Sequence, residues 1–345
     1  MNQTTQPELL WWQQTFGPAK LVTKLADTAM RTHAVSFYHR NPIPWEMDFR
    51  SLMEDQLRIL SSGMLMLEYF SPVSGGGKAA EQLINTFYQP DWMKSSVYYL
   101  PSMDAAAFLT QHQVLSGRAI WIRTEDPAIA SELLQLLAQF RRLASDHCGL
   151  LILELTGPAA QQHDAQTILA DSSDYDLFFF ANLLASHSSM NSFRKRYASA
   201  LAIELSFGDA ERCASLLDGG IAFLRSPQEY ASRPGGVRTE QLTHAVWKAQ
   251  LNTLFSAIED ARLRLIDSCR AQLSDALPFQ DEFGNTVTRP EEFELRHLIF
   301  LQRIHKISLT DSVISTLEIL HNTRNELAHL HILSLSEIET VAKLL

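Results

Sequence analysis

Eight short apolar runs recur along the first two thirds of this chain: His33–Tyr38, Met64–Phe70, Ser96–Leu100, Ala119–Ile122, Leu150–Leu155, Leu177–Phe180, Leu201–Leu205 and Ile221–Leu224. Between them lie segments with helical patterning, such as Asp48–Leu60 and Pro127–Ser145, where Ile129, Leu133, Leu134, Leu137 and Phe140 fall on one face. A strand that is apolar on both faces must be covered on both, and strands separated by helices run mostly parallel. The pattern predicts a three-layer α/β domain with a mostly parallel sheet over residues 18–225, preceded by an amino-terminal tail of residues 1–17.

The 345 residues suffice for two domains, and 46% hydrophobic with 20% charged residues is the composition of a folded chain. Cys148, Cys213 and Cys269 are far apart and form no metal-binding pattern, so they read as reduced, buried thiols. Met1–Pro7 has no positive cluster leading into an apolar core, and no run approaches the roughly 18 apolar residues of a membrane helix. A cytoplasmic protein without a membrane partner is therefore expected. The formal charge of −10 argues against broad nucleic-acid binding, which depends on Lys and Arg against phosphates, so any contact with RNA is expected to be local.

A parallel sheet commonly binds nucleotides at the carboxyl ends of its strands. The nearest candidate for a phosphate loop, Ser74-Gly75-Gly76-Gly77-Lys78-Ala79, has Pro72 where a Gly is needed and Ala79 where a Ser or Thr would hold magnesium. A Gly-rich surface turn accounts for it better. Leu150-Leu151-Ile152-Leu153-Glu154 resembles the second phosphate-site strand of a RecA-like ATPase, although a plain buried strand ending in an acid explains it equally well. The domain is thus similar to a RecA-like core that has lost its phosphate loop. That resemblance implies a pseudo-ATPase with no cofactor and no metal.

Ser226–Gly236 is punctuated by two prolines and a Gly-Gly pair, which marks residues 226–240 as a linker. Beyond it the β-branched runs give way to long helices. Trp247, Leu251, Leu254, Ile258 and Leu265 form an apolar seam in a helix from about Leu242 to Leu273. Asp281–Asn285 has turn chemistry. Further helices are expected over Pro290–His305, from Thr310 or Asp311 onward, and after a Ser334 or Ser336 cap. Residues 241–345 therefore read as an all-α bundle.

The helix that begins near Thr310 runs into Arg324-Asn325-Glu326-Leu327-Ala328-His329. An Arg and a neutral His together supply a phosphate clamp and a proton-transfer group, enough for metal-free cleavage of RNA. This arrangement at the end of a bundle helix resembles the signature of the HEPN superfamily, an Arg, a polar residue, three to five spacers and a His. The resemblance covers less than a third of the chain. It implies a metal-independent endoribonuclease of a bacterial stress, toxin or antiviral system, a homodimer in which two copies of the motif face each other. It also implies His329 as acid or base at the ribose 2′-hydroxyl, Arg324 as phosphate clamp and Asn325 as a positioning group, with Glu259 or Asp260 able to orient Arg324.

On an ideal helix Asn325 and His329 share a face, whereas Arg324 lies about 140° from His329. A two-fold pair converges these groups better than one copy does. The competing reading is structural: Arg324 complements the negative end of the helix, and Asn325 and His329 cap its last carbonyls. The chain would then be a noncatalytic regulator or scaffold that dimerises through the bundle and binds protein partners.

Overall fold

The computed structural model describes residues 6–88, 99–100, 102–232 and 238–345. It divides into two compact units, Gln6–Asp176 and Leu177–Leu345.

The first unit opens with α1 (Pro7–Leu9), a π-helical turn (Leu10–Gln14) and α2 (Phe16–Thr32). These lead into β1 (Ala34–Tyr38), α3 (Glu46–Leu60), β2 (Met66–Phe70), α4 (Ala79–Phe87) and α5 (Ala105–Gln111). Then come β3 (Arg118–Thr124), α6 (Pro127–Leu143), β4 (Leu150–Leu155) and the two-residue β5 (Ile168–Leu169). The five strands form one parallel sheet in the order β2-β3-β4-β1-β5. Helices α2 and α3 pack on one face and α4, α5 and α6 on the other, which gives the expected three layers. β1 and β4 are buried at every residue, the consequence of being covered on both sides.

The amino-terminal residues from Pro7 onward are part of this unit rather than a tail. Trp11 and Trp12 are buried, Trp12 stacks on Phe49 at 4.8 Å, and its Nε1 donates to the Pro44 carbonyl at 3.0 Å. The expected run at Ser96–Leu100 lies largely outside the described residues, and Tyr99 and Leu100 belong to no regular element.

The second unit contains α7 (Asp174–Ser186), within which the division falls, α8 (Ser192–Ser206), α9 (Ala210–Asp218), α10 (Gly220–Arg225) and α11 (Pro227–Ala231). It continues with α12 (Thr239–Ser268), α13 (Arg270–Asp275) and a small hairpin of β6 (Phe279–Gln280) and β7 (Thr286–Val287). It ends with α14 (Leu295–Arg303), α15 (Asp311–Ala328) and α16 (Leu335–Ala342).

Three expectations are corrected here. Leu177–Phe180, Leu201–Leu205 and Ile221–Leu224 are not strands but parts of α7, α8 and α10. The boundary falls at Asp176/Leu177 instead of in residues 226–240, because α8 packs along α12 and residues on both sides of the expected linker share one core. Within the expected linker Pro227–Ala231 is helical, and residues 233–237 lie outside the described ones.

Candidate functional site

The carboxyl end of α15 carries the Arg/His motif. Leu317, Leu320, Thr323 and Leu327 recur every three or four residues and are buried, so the helix docks on α12 and α14 and turns Arg324 and Asn325 sideways. The Trp247 indole pins the helix end by donating to the Leu327 carbonyl at 2.7 Å. Arg324 Nε donates to Glu259 Oε1 of α12 at 3.2 Å, and its guanidinium lies 5.9 Å from the centre of the Phe255 ring. The other oxygen of Glu259 accepts from Arg262 Nε at 2.8 Å, and Arg262 is itself bonded to the Glu291 and Phe293 carbonyls. Arg324 is thus fixed through a carboxylate that is itself fixed, while a third of its side chain remains accessible.

Asn325 Nδ2 lies 3.3 Å from His321 Nε2, one turn back. His329 is the exposed carboxyl cap of α15, and its backbone N–H donates to the Asn325 carbonyl at 3.0 Å. Leu330 then adopts a left-handed conformation, φ 62°, which folds the chain back. The fold-back closes with His331 N–H donating to the Glu326 carbonyl at 3.0 Å and His331 Nδ1 lying 2.6 Å from Glu326 Oε2. The His329 and His331 ring centres are 6.4 Å apart. Of these contacts, Glu259 was anticipated from sequence; the Glu326–His331 pair was not, since nothing in the spacing announces a Leu in the left-handed region. A groove of ≈ 330 Å³ between α15 and α16 adjoins the same turn, with Asn322, Thr323, Glu326, Ser336, Glu337 and Thr340 among its lining.

The first unit holds a second polar constellation, at the carboxyl ends of its strands. The chain leaves β1 toward the far edge strand β2 and leaves β4 the opposite way toward β5, so the crevice where ligands usually sit lies between β1 and β4. Register places Phe37, Glu154 and Arg123 in one row there, on the face covered by α2 and α3. Glu154 is 1% exposed and accepts from Trp121 Nε1 at 2.8 Å, with His39 Nε2 at 3.2 Å. Arg50 and Arg123 stand 3.5 and 3.8 Å from its oxygens, and both also pair with Glu46.

Burial alone would raise the Glu154 pKa, but the His39 and Trp121 hydrogen bonds and the charges of Arg123 and Arg50 outweigh it and hold the carboxyl below its ordinary range. Burial likewise opposes charge on His39. The bonds to Glu154 and to the Asn41 carbonyl, with the Glu154 charge, nevertheless raise its pKa. From sequence Glu154 was singled out only as an acidic strand end; His39, Arg50, Arg123 and Trp121 carried no local signal.

The Ser74–Ala79 turn sits elsewhere, after the edge strand β2. The amino end of α4 beyond it is already filled by a carboxylate, with Ala79 and Ala80 N–H donating to Glu132 at 3.0 and 3.1 Å. Ser74 Oγ donates to Asp126 at 2.8 Å. Among the described residues no group of three or more His, Cys, Asp or Glu is placed to hold a metal ion, and no helix is long and apolar enough to cross a membrane. No protein-family model matches the sequence, and neither does any curated protein.

Proposed function

We propose that this protein is a metal-independent endoribonuclease that acts as a homodimer through its helical unit, an HEPN-like effector of a bacterial stress or antiphage system working in the cytoplasm. The observation that carries the reading is Arg324, held by Glu259 near Phe255 with a third of its side chain accessible, beside Asn325 and the exposed His329 at one helix end. Arg324 then clamps the scissile phosphate, His329 moves a proton at the ribose or leaving oxygen, and Asn325 positions the substrate. Pairing with a second copy brings two such helix ends to one RNA strand. The adjoining groove is large enough for a nucleobase.

The test is cleavage of labelled single-stranded and structured RNAs in EDTA by the wild type, His329→Ala and Arg324→Ala. Each substitution lowers the rate by roughly 10²–10⁴-fold; identical fragment patterns for all three proteins remove the nuclease reading.

A specific observation also favours the second reading, a degenerate RecA-like pseudo-NTPase that serves as regulator or scaffold. The buried acid in the β1–β4 crevice is surrounded by His39, Arg50 and Arg123, so the place a magnesium ion would take beside it is met by protein side chains. This reading predicts a stable complex with a protein partner and no RNA cleavage. ATP turnover that is lost in Lys78→Ala would remove it.

A further inference from the structure

We infer that His331, oriented by Glu326, is a second proton-transfer residue of the same site, so that one chain supplies both the base and the acid for breaking an RNA phosphodiester. The inference rests on the ribonuclease reading above and extends it to a residue outside the Arg/His motif.

The arrangement begins in the backbone. A Leu at φ 62° is unfavourable relative to Gly, yet Leu330 takes that conformation, and its effect is to swing His331 back over the last turn of α15. There Glu326 holds His331 twice, by main chain and by side chain. An ionised carboxylate can only accept, so Nδ1 of His331 carries the hydrogen and Nε2 is the ring nitrogen left for chemistry. A base held by an orienting acid is a recurrent catalytic unit. His329 stands 6.4 Å away between ring centres, and both rings are exposed. That spacing puts two accessible imidazoles at one helix end, where a single phosphodiester linkage can meet both.

The step balances without an added reactant. Nε2 of His331 takes the proton of the 2′-hydroxyl as the 2′-oxygen forms its bond to phosphorus. The bond from phosphorus to the 5′-oxygen breaks, and the His329 imidazolium gives its proton to that oxygen. The products are a 2′,3′-cyclic phosphate and a 5′-hydroxyl, and exchange with water resets both rings. Arg324 of the second copy, brought across the two-fold axis, clamps the phosphate throughout.

The experiment compares wild type, His329→Ala, His331→Ala, His331→Asn and Glu326→Gln on an RNA oligonucleotide and on uridine 3′-(p-nitrophenyl phosphate), whose leaving group needs no proton. On RNA the His329 and His331 variants each lose roughly 10²–10⁴-fold in rate. On the activated ester His329→Ala recovers to near wild type while both His331 variants stay impaired. Glu326→Gln lowers kcat on both substrates about tenfold with KM unchanged, as a positioning residue should. Full activity of His331→Ala and His331→Asn alongside an inactive His329→Ala overturns this inference and leaves the ribonuclease reading standing. Recovery of the His331 variants instead of His329→Ala on the ester overturns the assignment of base and acid. A wild type that cuts no RNA removes both.

Discussion

The buried carboxylate in the β1–β4 crevice lends itself to a quantitative test. Glu154→Gln keeps the shape and one acceptor for Trp121 Nε1, but removes the charge that His39, Arg50 and Arg123 surround. Breaking a buried ion pair by removing one partner costs roughly 3–5 kcal/mol. Arg50 and Arg123 retain Glu46 and are 24% and 38% exposed, so the lower end, about 3 kcal/mol, applies. For a unit the size of Gln6–Asp176 each kcal/mol moves Tm by about 2–4 °C, giving a fall of about 6–12 °C. Trp11, Trp12, Trp45 and Trp121 lie in that unit and Trp247 in the other, so tryptophan fluorescence is dominated by the melting of the first unit.

The pH dependence has a definite sign. His39 is raised, so its contribution is full below the ordinary histidine value of about 6.5 and fades as pH rises through the folded-state value. Glu154 is lowered, so its contribution is present above the ordinary carboxylate value of about 4.3 and fades as pH falls through the depressed one. The pair therefore stabilises the wild type most between about pH 4.3 and 6.5. Glu154→Gln makes the alkaline limb shallower, because Glu154 supplies two of the three effects that raise His39 and the Asn41 carbonyl keeps the third. A variant that melts within 2 °C or so of wild type, with the same slope from pH 6 to 9, refutes the reasoning.

Other substitutions probe both units. In Gln250→Ala the buried N–H and C=O of Leu333 and the Tyr197 hydroxyl lose their partner, and urea unfolding followed by circular dichroism should show a loss of about 2–4 kcal/mol. Leu330→Gly relieves the left-handed φ and should leave the urea midpoint unchanged or raise stability by up to about 1 kcal/mol. Phe140→Ala empties a fully buried position between α6 and the sheet and should cost the first unit about 3–5 kcal/mol, read from its fluorescence melt. Glu132→Gln weakens the charge held at the amino end of α4 and should cost about 1 kcal/mol by the same measurement.

The three-layer α/β organisation was legible because β1, β3 and β4 are apolar on both faces and α6 shows an uninterrupted helical stripe. What misled was local composition. Leu177–Phe180 reads as a strand because its β-forming aromatics are adjacent, yet within that run of α7 Leu177 and Phe180 are buried while Phe178 and Phe179 are exposed. A short apolar run carries too few residues for a period of 2 and one of 3.6 to be told apart. β5 was missed for the same reason at its extreme, being two residues held only by β1. The Pro- and Gly-rich stretch near residue 230 signalled irregular backbone correctly, but irregular backbone is no measure of where the core divides; the packing of α8 on α12 decides that.

The two polar constellations differ in how far sequence could reach them, and the difference follows from chain distance. In the α15 motif Arg324, Asn325 and His329 are neighbours along the helix, so their spacing was visible before any fold was known. His39 and Glu154 are 115 residues apart, and Trp121 reaches Glu154 across 33. Only the order β3-β4-β1 brings them together, so a single acidic strand end was as much as the sequence could show. The same contrast applies within the motif's own surroundings. Glu326 and His331 are only five residues apart, but their pairing depends on the left-handed turn at Leu330, and Leu gives no warning of such a turn where Gly or Asn would. A functional role for His331 therefore hinges on one backbone dihedral. Leu330→Pro forbids that dihedral outright, since Pro fixes φ near −65°. In that variant His331 should separate from Glu326, and the loss on RNA should be at least that of His331→Ala, because the proline also pushes His329 before it toward extended backbone.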